Sequence, residues 1–344
     1  MNRFMGLRTN WNAFSKNRDA IYGIAIISIM IFHFFEDVAS SDFLGGGVAF
    51  VARIYNMFIG SVGVEFFVFL SGVGLYFSMT KDSSVLHFFY KRVKRILPTY
   101  VVVSILYWCL EDFVIKKNGL AAFIADISFV TFFTQGTRTF WYVLFILLAY
   151  LSYPCVYKFL HTELPEHLQL LVLIVIALII QFLPKAIVPT LYTNIEILLG
   201  RFLIFFIGCW SGKKVYKNEC ITKKEQMGFL LGFGLMLGNH LPIIKCVVSK
   251  INHRSLMCFW GIFLLYFLAI NLEKGPQILM SFLQRFGKSS YELYLIHVVI
   301  RAYMNTIGVR TCYLRNYVLC IAVSIAIVYT FARLQKQRRK INEA

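Results

Sequence analysis

The stretch NRDAIYGIAIISIMIFHFFED, residues 17–37, decides the fold. From Ala20 to Phe32 it carries no charge, and at about 1.5 Å per residue its helix crosses much of a hydrocarbon core of about 30 Å. It opens on Arg18 and Asp19 and closes on His33, Glu36 and Asp37. Charges confined to the two ends of an apolar helix mark a membrane span. The rest of the chain repeats the pattern. Of 344 residues, 58% are hydrophobic and 15% charged, against about 25% charged in soluble domains. Mean hydropathy is +0.67.

Ten stretches read as spans: roughly 20–35, 59–79, 96–115, 140–160, 167–184, 195–212, 226–244, 255–272, 289–307 and 316–334. The expected fold is all-α, a polytopic bundle forming one domain over 1–344, with short basic tails at 1–18 and 335–344. Residues 121–134 are apolar but short and carry Asp126, which predicts a re-entrant or interfacial piece. With both termini in the cytoplasm, about two basic residues lie inside for each one outside, as the positive-inside rule requires. The net charge of +18 therefore belongs to short loops between spans, and nucleic acid is not an expected partner. A cleaved signal peptide ending near Ala39 is disfavoured, because acids precede that point and more membrane sequence follows.

Eight cysteines without a CxxC pair argue against a zinc site or a disulfide framework, and no metal is expected. Cys246 and Cys312 both fall near the outer face, so one bridge is open beside the alternative of buried free thiols.

Several residues could carry chemistry. His33 stands about 22 Å up the first helix from Arg18, toward the outer face. Glu36 and Asp37 follow at i+3 and i+4, the spacing of one helical face, so either acid could orient the imidazole as a general base. A histidine snorkelling at a helix end is the plainer reading. In FFYKRVKRILPTY (88–100), Arg92 and Arg95 lie three apart among Lys91 and Lys94, before Pro98. Four cations at a helix start suit a phosphate ligand, and equally suit anchoring at the cytoplasmic face. Glu65 lies deep in the second span, as a site residue or as a partner for Arg201. Trp141, Tyr142 and Tyr150 suit an aromatic belt at the membrane interface, the plainer reading, or a pocket wall, and Tyr291 is a further possible pocket residue. His297 stands about 13 Å above Lys288. That places it some 9 Å below His33, which predicts that the two do not act on one atom and that His297 is structural.

RDAIYGIAIISIMIFHF, GVEFFVFLSGVGLYFS, YKRVKRILPTY, FWYVLFILLAYLSYP and GKSSYELYLIH, in this order, resemble the signatures of acyltransferase family three. These are integral membrane enzymes that O-acetylate cell-surface carbohydrates. The resemblance covers most of the chain. It implies that His33 is the catalytic base, and that Arg92 and Arg95, with Lys91 and Lys94 beside them, hold a cytoplasmic acyl-CoA. Glu65, Trp141, Tyr291 and His297 are, on the reading of the residues themselves, candidates for a possible pocket. Acyl-CoA, with acetyl the expected acyl group, would be a co-substrate with no bound cofactor. The acceptor would be a carbohydrate or glycolipid hydroxyl, and the setting a bacterial cytoplasmic membrane. Tyr22 departs from the family pattern, standing where a basic residue commonly precedes the glycine. A fused extracytoplasmic domain is not expected after RLQKQRRKINEA, so any second catalytic protein would be separate. A flippase of lipid-linked sugars and a non-catalytic membrane subunit are the rival readings.

Overall fold

The computed structural model describes residues 10–39, 46–60, 62–238, 253–306, 317–330 and 333. Among these the chain is helical apart from one isolated bridge between Asn10 and Cys220. Among the described residues, six stretches are long and apolar enough to cross a membrane: Arg18–Glu36, Val62–Lys81, Val85–Ile115, Trp141–Leu160, Glu166–Ile187 and Pro189–Tyr216. Shorter apolar helices run over Ser255–Asn271 and Tyr317–Thr330. The protein is thus an all-helical, multi-pass membrane protein. The expected span at 226–244 coincides with a helix over Lys223–Gly238, and its remainder lies outside the described residues. The one at 289–307 coincides with Ser290–Thr306.

The first helices are α1 (Asn12–Lys16), α2 (Arg18–Ala39), α3 (Gly46–Phe58), α4 (Val62–Lys81) and α5 (Val85–Cys109). After these come α6 (Leu120–Ile127), α7 (Val130–Gln135), α8 (Trp141–Leu160), α9 (Glu166–Ile187), α10 (Pro189–Leu199) and α11 (Phe202–Tyr216). The described chain ends with α12 (Lys223–Gly238), α13 (His253–Asn271), α14 (Gln277–Lys288), α15 (Ser290–Thr306) and α16 (Tyr317–Thr330). The apolar segment around 121–134 does not cross: it forms the short helices α6 and α7, with Thr131 hydrogen-bonded to Asp126.

Close helix approach explains the glycines. A Cβ at Gly208 of α11 would stand 2.4 Å from the Phe69 carbonyl oxygen of α4. Between α14 and α2 the fit is tighter still: a Cβ at Gly287 would stand 1.7 Å from the Asp19 carbonyl oxygen. Only a hydrogen in place of a side chain lets backbones pack this closely, and dispersion between them replaces the hydrophobic drive that lipid cannot supply.

Helix α5 corrects one expectation. It starts at Val85, where the Ser84 hydroxyl accepts the His87 backbone N–H at 3.3 Å, and Pro98 lies inside it. Arg92 and Arg95 are therefore two to three turns within a helix rather than at its start. Free amides and the helix dipole give them no help with an anion. Cys109, Cys155, Cys209, Cys220, Cys258 and Cys320 are free thiols, and the possible pairing of Cys246 with Cys312 lies outside the described residues.

Candidate active site

Among the described residues, two cavities in the bundle bring basic residues and His33 together. The first, about 210 Å³, takes Arg18 from α2 and Arg92 and Arg95 from α5. No carboxylate is among its lining side chains. Asp19 stands 3.8 Å from Arg18 Nε. Tyrosines complete the wall and hold the cations in place. The Arg92 guanidinium lies 5.4 Å from the Phe88 ring centre and 5.7 Å from that of Tyr150. That of Arg18 lies 5.7 Å from the ring of Tyr22. Cation–π contact fixes a guanidinium without consuming its N–H donors, which stay available to a ligand.

Helical spacing sorts the basic run. Arg92, Arg95 and Ile96 share the face that lines the cavity, whereas Lys91 and Lys94 are exposed and off it. Lys91 pairs with Asp82 at 3.4 Å, and Lys94 lies over Tyr90. Asp82, in the loop before α5, is held below the usual carboxylate range, first by the Ser84 backbone N–H and then by Lys91 and His87.

The second cavity, about 590 Å³, contains His33, Glu36, Arg138, Trp141, Arg201 and Arg301. Ile29, Val64 and Tyr294 line both cavities. Ile29 is one turn before His33 on α2, and Tyr294 is three residues before His297 on α15. These three side chains form a waist common to the walls of the two cavities.

His33 Nδ1 has two close partners that require opposite tautomers. Arg301 Nη1 is 2.9 Å away, and a guanidinium can only donate. Glu36 Oε2 is 3.3 Å away, and a carboxylate can only accept. Arg301 also donates to Glu36 Oε2 through Nη2 at 3.0 Å, closing a triangle. Asp37 belongs to α2, but its side chain lies outside the described residues.

The expected separation of the histidines is wrong. The rings of His33 and His297 lie 5.4 Å apart, centre to centre. Counting rise gives distance along one axis, and helices that cross share no common depth scale. His297 is buried behind the second cavity, and its Nδ1 donates to the Leu293 carbonyl at 2.8 Å. Glu65 is also off the cavity, ion-paired with Arg201, both almost fully buried. Arg201 reaches the cavity wall, with its guanidinium 5.8 Å from the Trp141 ring. Tyr291 lines the first cavity and donates to the Ile96 carbonyl at 3.0 Å. Arg18 and Arg301 escaped the sequence reading. The available signals were Arg18 one turn before Tyr22, and Arg301 one turn beyond His297 in an apolar helix. No group of three His, Cys, Asp or Glu fit to hold a metal occurs among the described residues.

A family model described as an acyltransferase domain, Acyl_transf_3, matches residues 18–333. The chain belongs to acyltransferase family three. No curated protein and no solved structure matches it. As a family-three acyltransferase, the protein is an enzyme that uses an acyl donor in a membrane setting. The match begins at Arg18, the first residue of α2 and part of the first cavity.

Proposed function

We propose that this acyltransferase moves an acetyl group from cytoplasmic acetyl-CoA to a hydroxyl of an extracytoplasmic or lipid-linked carbohydrate, with His33 as the general base. The observation that carries the reading is the shared waist. A cationic cavity suited to phosphates shares Ile29, Val64 and Tyr294 in its wall with the cavity that contains His33.

Arg18, Arg92 and Arg95 hold the phosphates of the coenzyme. Planar guanidinium groups make paired, charge-assisted hydrogen bonds that a lysine ammonium cannot match. The pantetheine arm then extends through the waist, shielded from lipid, and presents the thioester carbonyl beside His33. The acceptor hydroxyl gives its proton to His33 as its oxygen attacks. A C–O bond forms, the C–S bond breaks, and the proton passes on to the departing thiolate, leaving free CoA. General-base catalysis of this kind contributes about 10²–10⁴-fold. Arg18, one turn before Tyr22, supplies the cation that the family pattern would place at Tyr22. Ten spans with both termini cytoplasmic, in a bacterial cytoplasmic membrane, complete the reading, supported by the distribution of Lys and Arg.

The test is acetyl transfer by the purified protein in sealed vesicles, with labelled acetyl-CoA supplied on one side at a time. Label consumed only from the side carrying Arg92 and Arg95, and lost in His33→Ala and His33→Gln, is the expected result. Gln keeps hydrogen bonding but cannot take the proton, so full turnover in His33→Gln ends the reading. Sugar translocation without any use of acetyl-CoA would instead favour a flippase.

A further inference from the structure

The charge around His33 bears on what can enter its cavity. The wall carries three guanidinium groups, those of Arg138, Arg201 and Arg301, against one carboxylate among the described residues, that of Glu36. The acids beside the other two arginines do not line the space: Glu65 pairs with Arg201, and Glu196 stands 3.8 Å from Arg138. Both pairs thus present their positive ends to the cavity. Fixed charge in a partly enclosed space is poorly screened and draws in groups of opposite sign.

The three arginines are not equally available. Arg301 donates to His33 at 2.9 Å and to Glu36 at 3.0 Å. Arg201 is buried in its ion pair with Glu65. Arg138 is exposed, and its described contacts use Nη2 alone, which donates to the Thr193 carbonyl at 3.2 Å. The 3.8 Å approach to Glu196 is beyond hydrogen-bond length. Most of the Arg138 N–H donors can therefore meet a ligand.

Local chemistry fixes where Arg138 stands. Gly136 ends α7 in the left-handed region, with φ +73°, and a Cβ there would lie 2.8 Å from Asn194 Oδ1. Asn194 of α10 donates through Nδ2 to the Phe133 carbonyl at 2.8 Å. Thr193 and Asn194 thus hold the turn from both sides of Gly136 and set Arg138, Thr139 and Trp141 in the cavity wall.

We propose, on the reading that this cavity takes the acceptor, that the acceptor sugar bears an oxyanion, a carboxylate or a phosphate, and that Arg138 receives it and so selects the hydroxyl that reaches His33. A planar guanidinium meets either oxyanion with paired, charge-assisted hydrogen bonds. Trp141, in the same wall, supplies apolar surface for the sugar ring. A neutral sugar leaves the Arg138 donors to water, and the two classes of acceptor differ in affinity by the lost contact, roughly ten- to a hundredfold.

The experiment is saturation-transfer NMR of the whole protein in nanodiscs, with excess CoA present to fill the cavity of Arg92 and Arg95. The probes are methyl glucuronide, methyl glucoside and methyl glucoside phosphate. At least one acidic probe should bind at least tenfold more tightly than the neutral glucoside. Preference for the glucuronide alone marks a sugar acid, and preference for the phosphate alone marks a phosphate-bearing acceptor. Arg138→Gln should erase the preference while CoA binding, which reports a folded protein, is kept. Arg138→Lys should retain part of it, as a point charge without the fork. A glucoside bound as tightly as both acidic probes, no binding of any of the three, or a preference that survives in Arg138→Gln overturns the proposal. Binding needs no transfer, so the role of His33 is read separately. An Arg138-dependent preference in a protein that transfers no acetyl group sinks His33 as base and leaves Arg138 standing. Acetyl transfer to a neutral sugar, undiminished in Arg138→Gln, does the reverse.

Discussion

Tyr294 and Ile29 each line both cavities, and each stands about one turn before a histidine of its own helix. On the proposed reading, the cationic cavity that would take the donor's phosphates is distinct from the cavity that contains His33, and the two share apolar and aromatic side chains in their walls. That division makes the two functions separable by mutation.

Val64, the third waist residue, is the place to close the passage. Val64→Trp adds bulk in the wall common to both cavities. Transfer should fall at least tenfold, equivalent to about 1.4 kcal/mol on the barrier, while acetyl-CoA binding changes little. Single-turnover transfer measured beside equilibrium binding checks this. Equal losses in both would mean that the passage does not run past Val64.

Arg18, Arg92 and Arg95 should each matter more than either lysine of the same run. Truncating one arginine to Ala removes a charge-assisted contact of about 1.5–3 kcal/mol, or roughly ten- to a hundredfold in donor affinity. Lys94→Ala should stay within about twofold, because Lys94 is exposed and off the cavity. Titration with acetyl-CoA separates the sets. A Lys94 effect as large as that of Arg95 would reassign the run to anchoring at the membrane face.

The Glu65–Arg201 pair is a stability device beside the site. Removing one partner leaves a buried, uncompensated charge, so Arg201→Met should cost about 3–5 kcal/mol. Replacing both, as Glu65→Leu with Arg201→Met, should recover much of that loss. Thermal unfolding in detergent reads both effects. A double variant no more stable than Arg201→Met would show that the pair is needed for more than mutual charge compensation.

Glycines divide by what a Cβ would meet. Gly287→Leu drives side-chain atoms into the Asp19 backbone and should sharply lower the yield of folded protein. At Gly234 of α12 nothing lies within 4 Å, so Gly234→Ala should be neutral or stabilise by about 0.5–1 kcal/mol. Folded yield by size-exclusion chromatography distinguishes the two. Similar behaviour of both variants would contradict the tight packing of α14 on α2.

The sequence by itself determined that this is a helical membrane protein, because apolar runs interrupted by short basic loops have no other stable arrangement when every backbone polar group must be satisfied within the helix. It also singled out His33 and the Arg92–Arg95 pair, since ionisable residues at such places in apolar surroundings stand out against hydrocarbon. Tertiary structure decided which of these meet. Arg301, 268 residues from His33 along the chain, reaches its ring only because α15 crosses α2. His297 was misplaced for the same reason, as rise along one helix says nothing about the axis of another. Lys91 and Lys94 could be parted from Arg92 and Arg95 only once the face of α5 turned toward the cavity was known. A linear pattern records which groups are costly to bury, and packing alone determines the partners that offset the cost.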